Sequence, residues 1–399
     1  AGLTITSLVT TNDATINGLT VGRGAGSNAS GNTALGVDAL NLNTTGIVNT
    51  AIGASALAAN NTGSNGTAIG SAALISNTSG GQNTAIGRNA LRFNITGGDN
   101  VAVGYNSLYS NVAGTNTAVG STAMQTNSSG VRNSAVGFAA LFSNTTGSYN
   151  TALGREALYL NTTVSNMVAV GYQALYNLND AAAINNVAVG SQAGYSITSG
   201  QRNNFFGTVT GKFTTTGNSN TAMGNSALNA NISGSYNTAI GEQALDNNTT
   251  ASNNTAVGYQ TLYNTTTSNH TAIGYQAGYN NTTGAVVAFG YRSLYANSTG
   301  INNVGYGNSS LTDNTIGSEN TAVGNSALFN NETGNNNTAV GRQALAENTD
   351  ADNNTAIGYK SMNFNTLGAN NTAIGCLSLV NNTTASNNTA VGYKAGYTS

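Results

Sequence analysis

The chain has no proline in 399 residues, where average usage of about 5% would supply roughly twenty. Proline removes a backbone N–H, so its absence points to a chain in which nearly every N–H is engaged. There is one cysteine, Cys376, which excludes a disulfide within the chain and leaves the redox compartment open. The single histidine, His270, has no second histidine to share a metal and no oriented partner for base catalysis, so zinc sites and histidine-dependent triads are not expected. Charged residues make up only 6%, with a net charge of −2, so no basic surface argues for nucleic acid. No apolar run approaches the length of about eighteen residues that a membrane-spanning helix needs. Ala1–Val21 has no basic stretch followed by an apolar core, so no signal peptide is visible there. Removal of one, another export route or assembly inside a host would each account for that.

What the chain does have is a repeat. A small–apolar–Gly motif occurs 22 times, for example Thr-Ala-Ile-Gly at Thr50–Gly53 and Thr-Ala-Val-Gly at Thr338–Gly341. With the Ala of each motif as reference (Ala34, Ala51, Ala68 and so on to Ala390), 17 of the 21 intervals are seventeen residues, three are sixteen and one is nineteen. A short fixed period is the signature of a solenoid, whose single coils cannot bury an apolar face alone. Much Asn, Ser, Thr and Gly with little charge would also suit disorder, but here the apolar residues keep register.

Helices are not expected, because Asn, Thr and Gly are poor in helix interiors and no apolar stripe follows helical spacing. Thr-Ala-Val/Ile reads as a short strand and Asn-Thr-Thr-Gly, as at Asn144–Gly147, as a turn. Gly follows the reference by two residues in every copy, including Gly53, Gly104, Gly241 and Gly341. A place that accepts only Gly needs positive φ or close approach of another backbone. The expected core has two large residues per coil: the one between Ala and Gly (Ile52, Val103, Ile240, Val340) and the Leu six after the reference (Leu57, Leu158, Leu245, Leu345). Asn precedes the reference by two residues in 18 copies, among them Asn49, Asn83, Asn150, Asn237, Asn320, Asn354 and Asn388. At about 4.8 Å between coils, these side chains are expected to form an amide ladder. The predicted fold is an all-β β-solenoid of about 22 coils of 17 residues. It occupies residues 30–399 as one array, after an N-terminal segment, 1–29, with a strand at Thr4–Val9 and an irregular leading repeat at Thr20–Gly22. Stacked singly, the coils would make a rod roughly 105 Å long. No polar cap closes the C-terminal end, so another subunit or further chain is expected to cover it.

No residue set here carries catalytic chemistry, and no cofactor is expected. His270 stands in the Asn column and reads as a ladder substitution, so His270→Ala is expected to be nearly silent, whereas Ile240→Asp should disrupt assembly. Asp350, Asp352 and Glu347 read as a solvated turn rather than a calcium loop, and Asn177–Ala183, in the nineteen-residue copy, as a bulge. Cys376 falls at a corner and reads as a surface thiol. Asn-x-Ser/Thr triplets at Asn43, Asn144 and Asn331 match the glycosylation acceptor but follow from the repeat. The surface feature that stands out is aromatic. Tyr105, Tyr172, Tyr259, Tyr275, Tyr291, Tyr359 and Tyr393 share the corner after the Gly, and a second Tyr column lies four residues on. Tyr has a broad apolar face and a polar tip, suited to a sugar, a neighbouring chain or the edge of a thin core.

The string Asn-Thr-Ala-Ile/Val-Gly followed by Ala-Leu resembles the head repeat of YadA-like trimeric autotransporter adhesins, a left-handed β-roll. It is also similar to the Asn-Thr-Ala-Val-Gly arrays of phage tail fibres and bacterial surface fibres. The resemblance covers about residues 30–399. It departs from the adhesins in its repeat length, about fourteen residues there, and in lacking stalk heptads and membrane-anchor strands. It implies three chains side by side and binding to host surfaces.

Sequence and resemblance together predict a structural, non-enzymatic fibre, extracellular, on a cell surface or in a virion. Its partners would be itself, as homotrimer or head-to-tail filament, and cell-surface glycans, with no nucleic acid and no membrane span. Many equivalent weak sites would raise avidity. The alternative is ice binding through the Thr rank at Thr33, Thr50, Thr84, Thr238, Thr255 and Thr389, although the neighbouring outward place is expected to be Asn or Ala.

Overall fold

A computed structural model describes residues 14–16, 19–24 and 30–397; the strand expected at Thr4–Val9 lies outside them. The chain falls into two compact units, Ala1–Ser191 and Gln192–Ser399, each a β-solenoid. No helix occurs among the described residues.

The first unit opens with two strands, β1 (Ala14–Ile16) and β2 (Leu19–Gly22), followed by ten from β3 (Thr33–Gly36) to β12 (Val187–Val189). β1 and β2 pair antiparallel, and β2 pairs antiparallel with β3 (Val21 opposite Leu35). Thr20–Gly22 is therefore not a leading coil. A stacking coil would run parallel to the next, and this strand reverses direction. From β3 onward the pairing is parallel and in register, as in Ala34 opposite Ala51 and Ala152 opposite Ala169. The nineteen-residue interval keeps Ala169 opposite Ala188, because its extra residues leave the stack, with Asn179–Ala182 exposed. The second unit holds twelve parallel strands, from β13 (Asn204–Phe206) to β24 (Thr389–Val391), with the same register at, for example, Ala339 opposite Ala356.

Hydrogen bonds between coils continue past the three-residue strands. Gly70 N–H donates to Ile52 O of the preceding coil at 2.7 Å, and Leu74 N–H to Ala90 O of the following one at 3.0 Å. Proline would break such a bond almost anywhere. The Gly after each strand meets both demands read from its invariance. Gly53 has φ +130°, and a Cβ there would lie 2.7 Å from the Gly70 carbonyl, closer than a side chain can approach.

The core differs from expectation on one side. Leu57, Leu158, Leu245 and Leu345 are buried, as are the reference alanines. Ile52, Val103 and Val340 are only half-buried, and Ile240 is 37% exposed. The correction follows from strand geometry: successive side chains point to opposite faces, so an inward Ala51 turns Thr50 and Ile52 outward together. The interior is filled instead by the Ala columns and the Leu column. Each Leu adopts left-handed φ, +51° at Leu57, at a cost of about 1–2 kcal/mol that its burial offsets. At Gly211, which stands in the Leu column, another group fills the space. Phe205 replaces the reference Ala, is fully buried, and points its ring at Gly211, where a Cβ would sit 2.5 Å from it.

Candidate functional site

Stacking turns each column of the repeat into a rank of identical groups, and these ranks form the chemical surface. Two ranks of Asn are internal. In the column read from sequence, the amides bond mainly to backbone. Asn49 Nδ2 donates to Gly63 O (2.8 Å), and its Oδ1 accepts from Gly66 N–H (2.8 Å). Asn237 and Asn320 do the same with Ala251 O and Gly334 O, and with the N–H of Asn254 and Asn337. Direct amide-to-amide bonds occur there at only some steps, such as Asn100 Nδ2 to Asn83 Oδ1 (3.1 Å). The side-chain ladder expected at this column is thus largely a side-chain-to-backbone ladder, because each oxygen is taken by the next coil's N–H.

The amide-to-amide ladder runs in another column, nine residues after the reference, inside what read as the Asn-Thr-Thr-Gly turn. Asn314 Nδ2 reaches Asn297 Oδ1 at 2.6 Å, Asn331 reaches Asn314 at 2.7 Å, Asn348 reaches Asn331 at 2.8 Å and Asn382 reaches Asn365 at 2.7 Å. The second amide hydrogen holds the turn, as from Asn331 to Gly334 O (3.0 Å). The signal was in the sequence, since Asn recurs there almost as regularly as in the first column. These amides are buried, so the triplets at Asn43, Asn144 and Asn331 are closed to glycan transfer in the folded chain. The ladder breaks beside sixteen-residue coils: Asn94 Oδ1, Asn248 Oδ1 and the hydroxyl of Thr265 are buried without a partner.

His270 is part of this internal network. Its backbone N–H donates to Asn254 Oδ1 (3.0 Å), its Nδ1 faces Val286 N–H (3.3 Å) and Asn281 Nδ2 (3.2 Å), and its Nε2 lies 2.9 Å from the Thr267 hydroxyl. Nδ1 as acceptor and Nε2–H as donor satisfy all these contacts with a neutral ring. Burial pushes its pKa down to about 4, against the opposing effect of a hydrogen bond from the ring to the Thr267 backbone. A silent His270→Ala is therefore not expected, because it would leave buried groups without partners.

The acidic turn is likewise engaged. Asp350 accepts from Thr333 Oγ1 (2.8 Å), Asp352 from Asn335 N–H (2.6 Å) and Glu347 from Asn330 Nδ2 (2.7 Å), each across one coil step. Among the described residues no group of three His, Cys, Asp or Glu is placed to hold a metal ion, and no helix is long and apolar enough to cross a membrane. Cys376 is half-buried.

Two outward features remain. The first is the sheet face, where the Thr column and the Ile/Val column flank the buried Ala. No Asp, Glu, Lys or Arg occupies either column, and Ile69, Ile86, Ile273, Ile357 and Ile374 are 36–39% exposed. The place beside the Thr rank is thus Ile or Val, not Asn or Ala. The second is aromatic. The corner residues Tyr105, Tyr172, Tyr259, Tyr275, Tyr291, Tyr359 and Tyr393 are all exposed. Where they fall in successive coils they stack: Tyr259–Tyr275 and Tyr275–Tyr291 have centroids 5.3 and 5.2 Å apart. The column four residues on does the same at Tyr263–Tyr279–Tyr295, 5.2 Å per step. In such stacks each ring covers its neighbour's face and turns an edge to solvent, which removes the flat surface a sugar would use. Tyr172, Tyr359 and Tyr393 stand outside these stacks, with Arg155, Lys360 and Lys394 respectively near their rings.

No protein-family model matches the sequence, and comparison with curated proteins finds no match.

Proposed function

We propose that this chain is a structural, non-enzymatic subunit of an extracellular, cell-surface or virion fibre that associates with further copies of itself and attaches through many equivalent contacts. The observation that carries this reading is the uncharged, half-apolar sheet face repeated in every coil. Contiguous apolar surface of this kind marks an interaction site. If each coil of the second unit contributes its exposed Ile/Val and Thr, the face offers on the order of 1,000 Å², against about 800 Å² per partner in an ordinary stable interface. A homotrimer or a filament would bury it. Glycan contacts, where present, fall to the unstacked corner tyrosines. Light scattering of the purified protein tests the reading: a multiple of the 40.0 kDa chain mass supports self-association, and a monomer at high concentration contradicts it.

Ice binding is a second reading, favoured by one observation. Thr321, Thr338, Thr355, Thr372 and Thr389 stand in register beside Val323, Val340, Ile357, Ile374 and Val391. Two outward ranks repeat at about 4.8 Å, giving a regular face of methyl and hydroxyl groups. Thermal hysteresis in dilute solution would support it, and its absence from a monomeric preparation would exclude it.

A further inference from the structure

The second unit has one stretch where the internal ladders fail together. Ala256, Ala272 and Ala288 are separated by two consecutive sixteen-residue intervals. Across these coils Thr265 replaces a ladder Asn and leaves its buried hydroxyl and Asn248 Oδ1 unpartnered. His270 replaces another ladder Asn, and Gly278 replaces the core Leu. Both three-membered tyrosine stacks lie on these same coils. The rings are close to parallel, 4° apart at Tyr263–Tyr279 and 9° at Tyr275–Tyr291, with centroids 5.2 Å apart, so the rings of successive coils face each other and couple if they tilt together about their side-chain bonds. Between the columns, Gln260 Nε2 bonds Gln243 Oε1 (2.8 Å) and Gln276 Nε2 bonds Gln260 Oε1 (2.9 Å), which holds the coils in register.

We infer that these stacks are sites of oxidative cross-linking, in which a peroxidase with hydrogen peroxide joins successive tyrosines as dityrosine and staples neighbouring coils. Each of two phenols loses one electron and one proton, and the two phenoxyl radicals couple at ring carbons ortho to oxygen. The coupled rings rearomatise by moving the two ortho hydrogens to the oxygens. Overall, two tyrosines and one H2O2 give one dityrosine and two H2O. The column Tyr263–Tyr279–Tyr295 has a group suited to the proton at one end. Asp246 lies against Tyr263, is buried, and has Oδ1 without a partner. At the other end Arg292 sits 4.0 Å over the Tyr295 ring; its positive charge disfavours removing an electron there, so oxidation begins at the Asp246 end. In a chain with one cysteine, such links would do what disulfides cannot, at coils where both Asn ladders are interrupted.

The test treats the full chain, at high dilution, with peroxidase and hydrogen peroxide, and maps the products by fluorescence and peptide mass. Linked peptides short of two hydrogens are expected to join Tyr263 to Tyr279, Tyr279 to Tyr295, Tyr259 to Tyr275 and Tyr275 to Tyr291, and also Tyr159 to Tyr176, whose rings stack 5.0 Å apart in the first unit. Their yield should be unchanged on further dilution, and exchange of the Leu262 and Gly274 amides should slow after oxidation. Tyr279→Phe keeps the stacked ring but removes the phenol, so both links of its column should vanish while those of Tyr275 persist. Links found mainly at the more exposed Tyr149 and Tyr236, a yield that falls with dilution, or no dityrosine would each overturn the inference.

Discussion

Replacing Phe205 with Ala tests whether each coil has a fixed interior volume shared between two positions. Phe205 is fully buried and occupies the space that Leu fills in other coils. Its loss should cost about 3–5 kcal/mol, as for other Phe→Ala changes in cores. Gly211→Leu alone adds a side chain whose Cβ would lie 2.5 Å from the ring, and overpacking of this kind costs about 1–3 kcal/mol or more. Together the two changes recreate the Ala-and-Leu coil. Gly211 already has φ +55°, close to the +51° at Leu57, so the double variant should bear only the left-handed cost of Leu, about 1–2 kcal/mol. The coupling energy should therefore be about 3 kcal/mol or more, at the upper end for residues in contact. Repeat arrays need not unfold in one step, so the assay is native-state hydrogen exchange at the Gly211 and Gly224 amides, which bond Ala227 O and Phe206 O. If the two single effects simply add in the double variant, the shared-volume account is wrong.

Two further outcomes follow from the internal ladders. His270 has a pKa of about 4 in the folded chain against an ordinary 6.5, so the unfolded state takes up its proton first as pH falls. Its contribution is complete above about pH 6.5 and is lost towards pH 4, amounting to about 3 kcal/mol in all. Protection factors of the Thr255 and Val286 amides, which allow for the pH dependence of chemical exchange itself, should fall over that window in the native protein and much less in His270→Asn; equal pH dependence in both would exclude the histidine as its source. Asn331→Ala removes donors to Asn314 Oδ1 and Gly334 O and the acceptor for Asn348 Nδ2. At about 1–3 kcal/mol per buried group left unpaired, thermal stability of the surrounding coils should fall clearly, whereas Asn325→Ala, at an exposed corner where another coil carries Ala54, should be nearly neutral; equal loss from both would show that the ladder contributes little.

Much of the coil was legible because the repeat prints its constraints many times. The Gly after each strand, the Leu column and the absence of proline all carried one meaning in sequence and structure, since each reflects backbone geometry imposed by stacking. The face of Ile52 and Ile240 is not legible in the same way, because a large apolar residue beside Ala looks like core in sequence. Alternation along a strand lets only one of the two point inward, and the narrow coil takes the smaller. The second Asn ladder was hidden by its context, because Asn-Thr-Thr-Gly satisfies turn chemistry whether or not the amide is buried. Phe205 and Gly211 looked like two unrelated exceptions, six residues apart, until the coil closed and brought them into contact.

The most direct test of the central claim is the solution mass of the intact chain beside that of Val340→Lys and Ile357→Lys, with circular dichroism to confirm that all three are folded. Both substitutions place a charge on the outward face without touching the buried columns. The native chain is expected to be oligomeric, and either lysine to lower its mass towards 40.0 kDa while leaving the β signal intact. An oligomer indifferent to both lysines, or a native chain that is monomeric throughout, would contradict assembly through the sheet face.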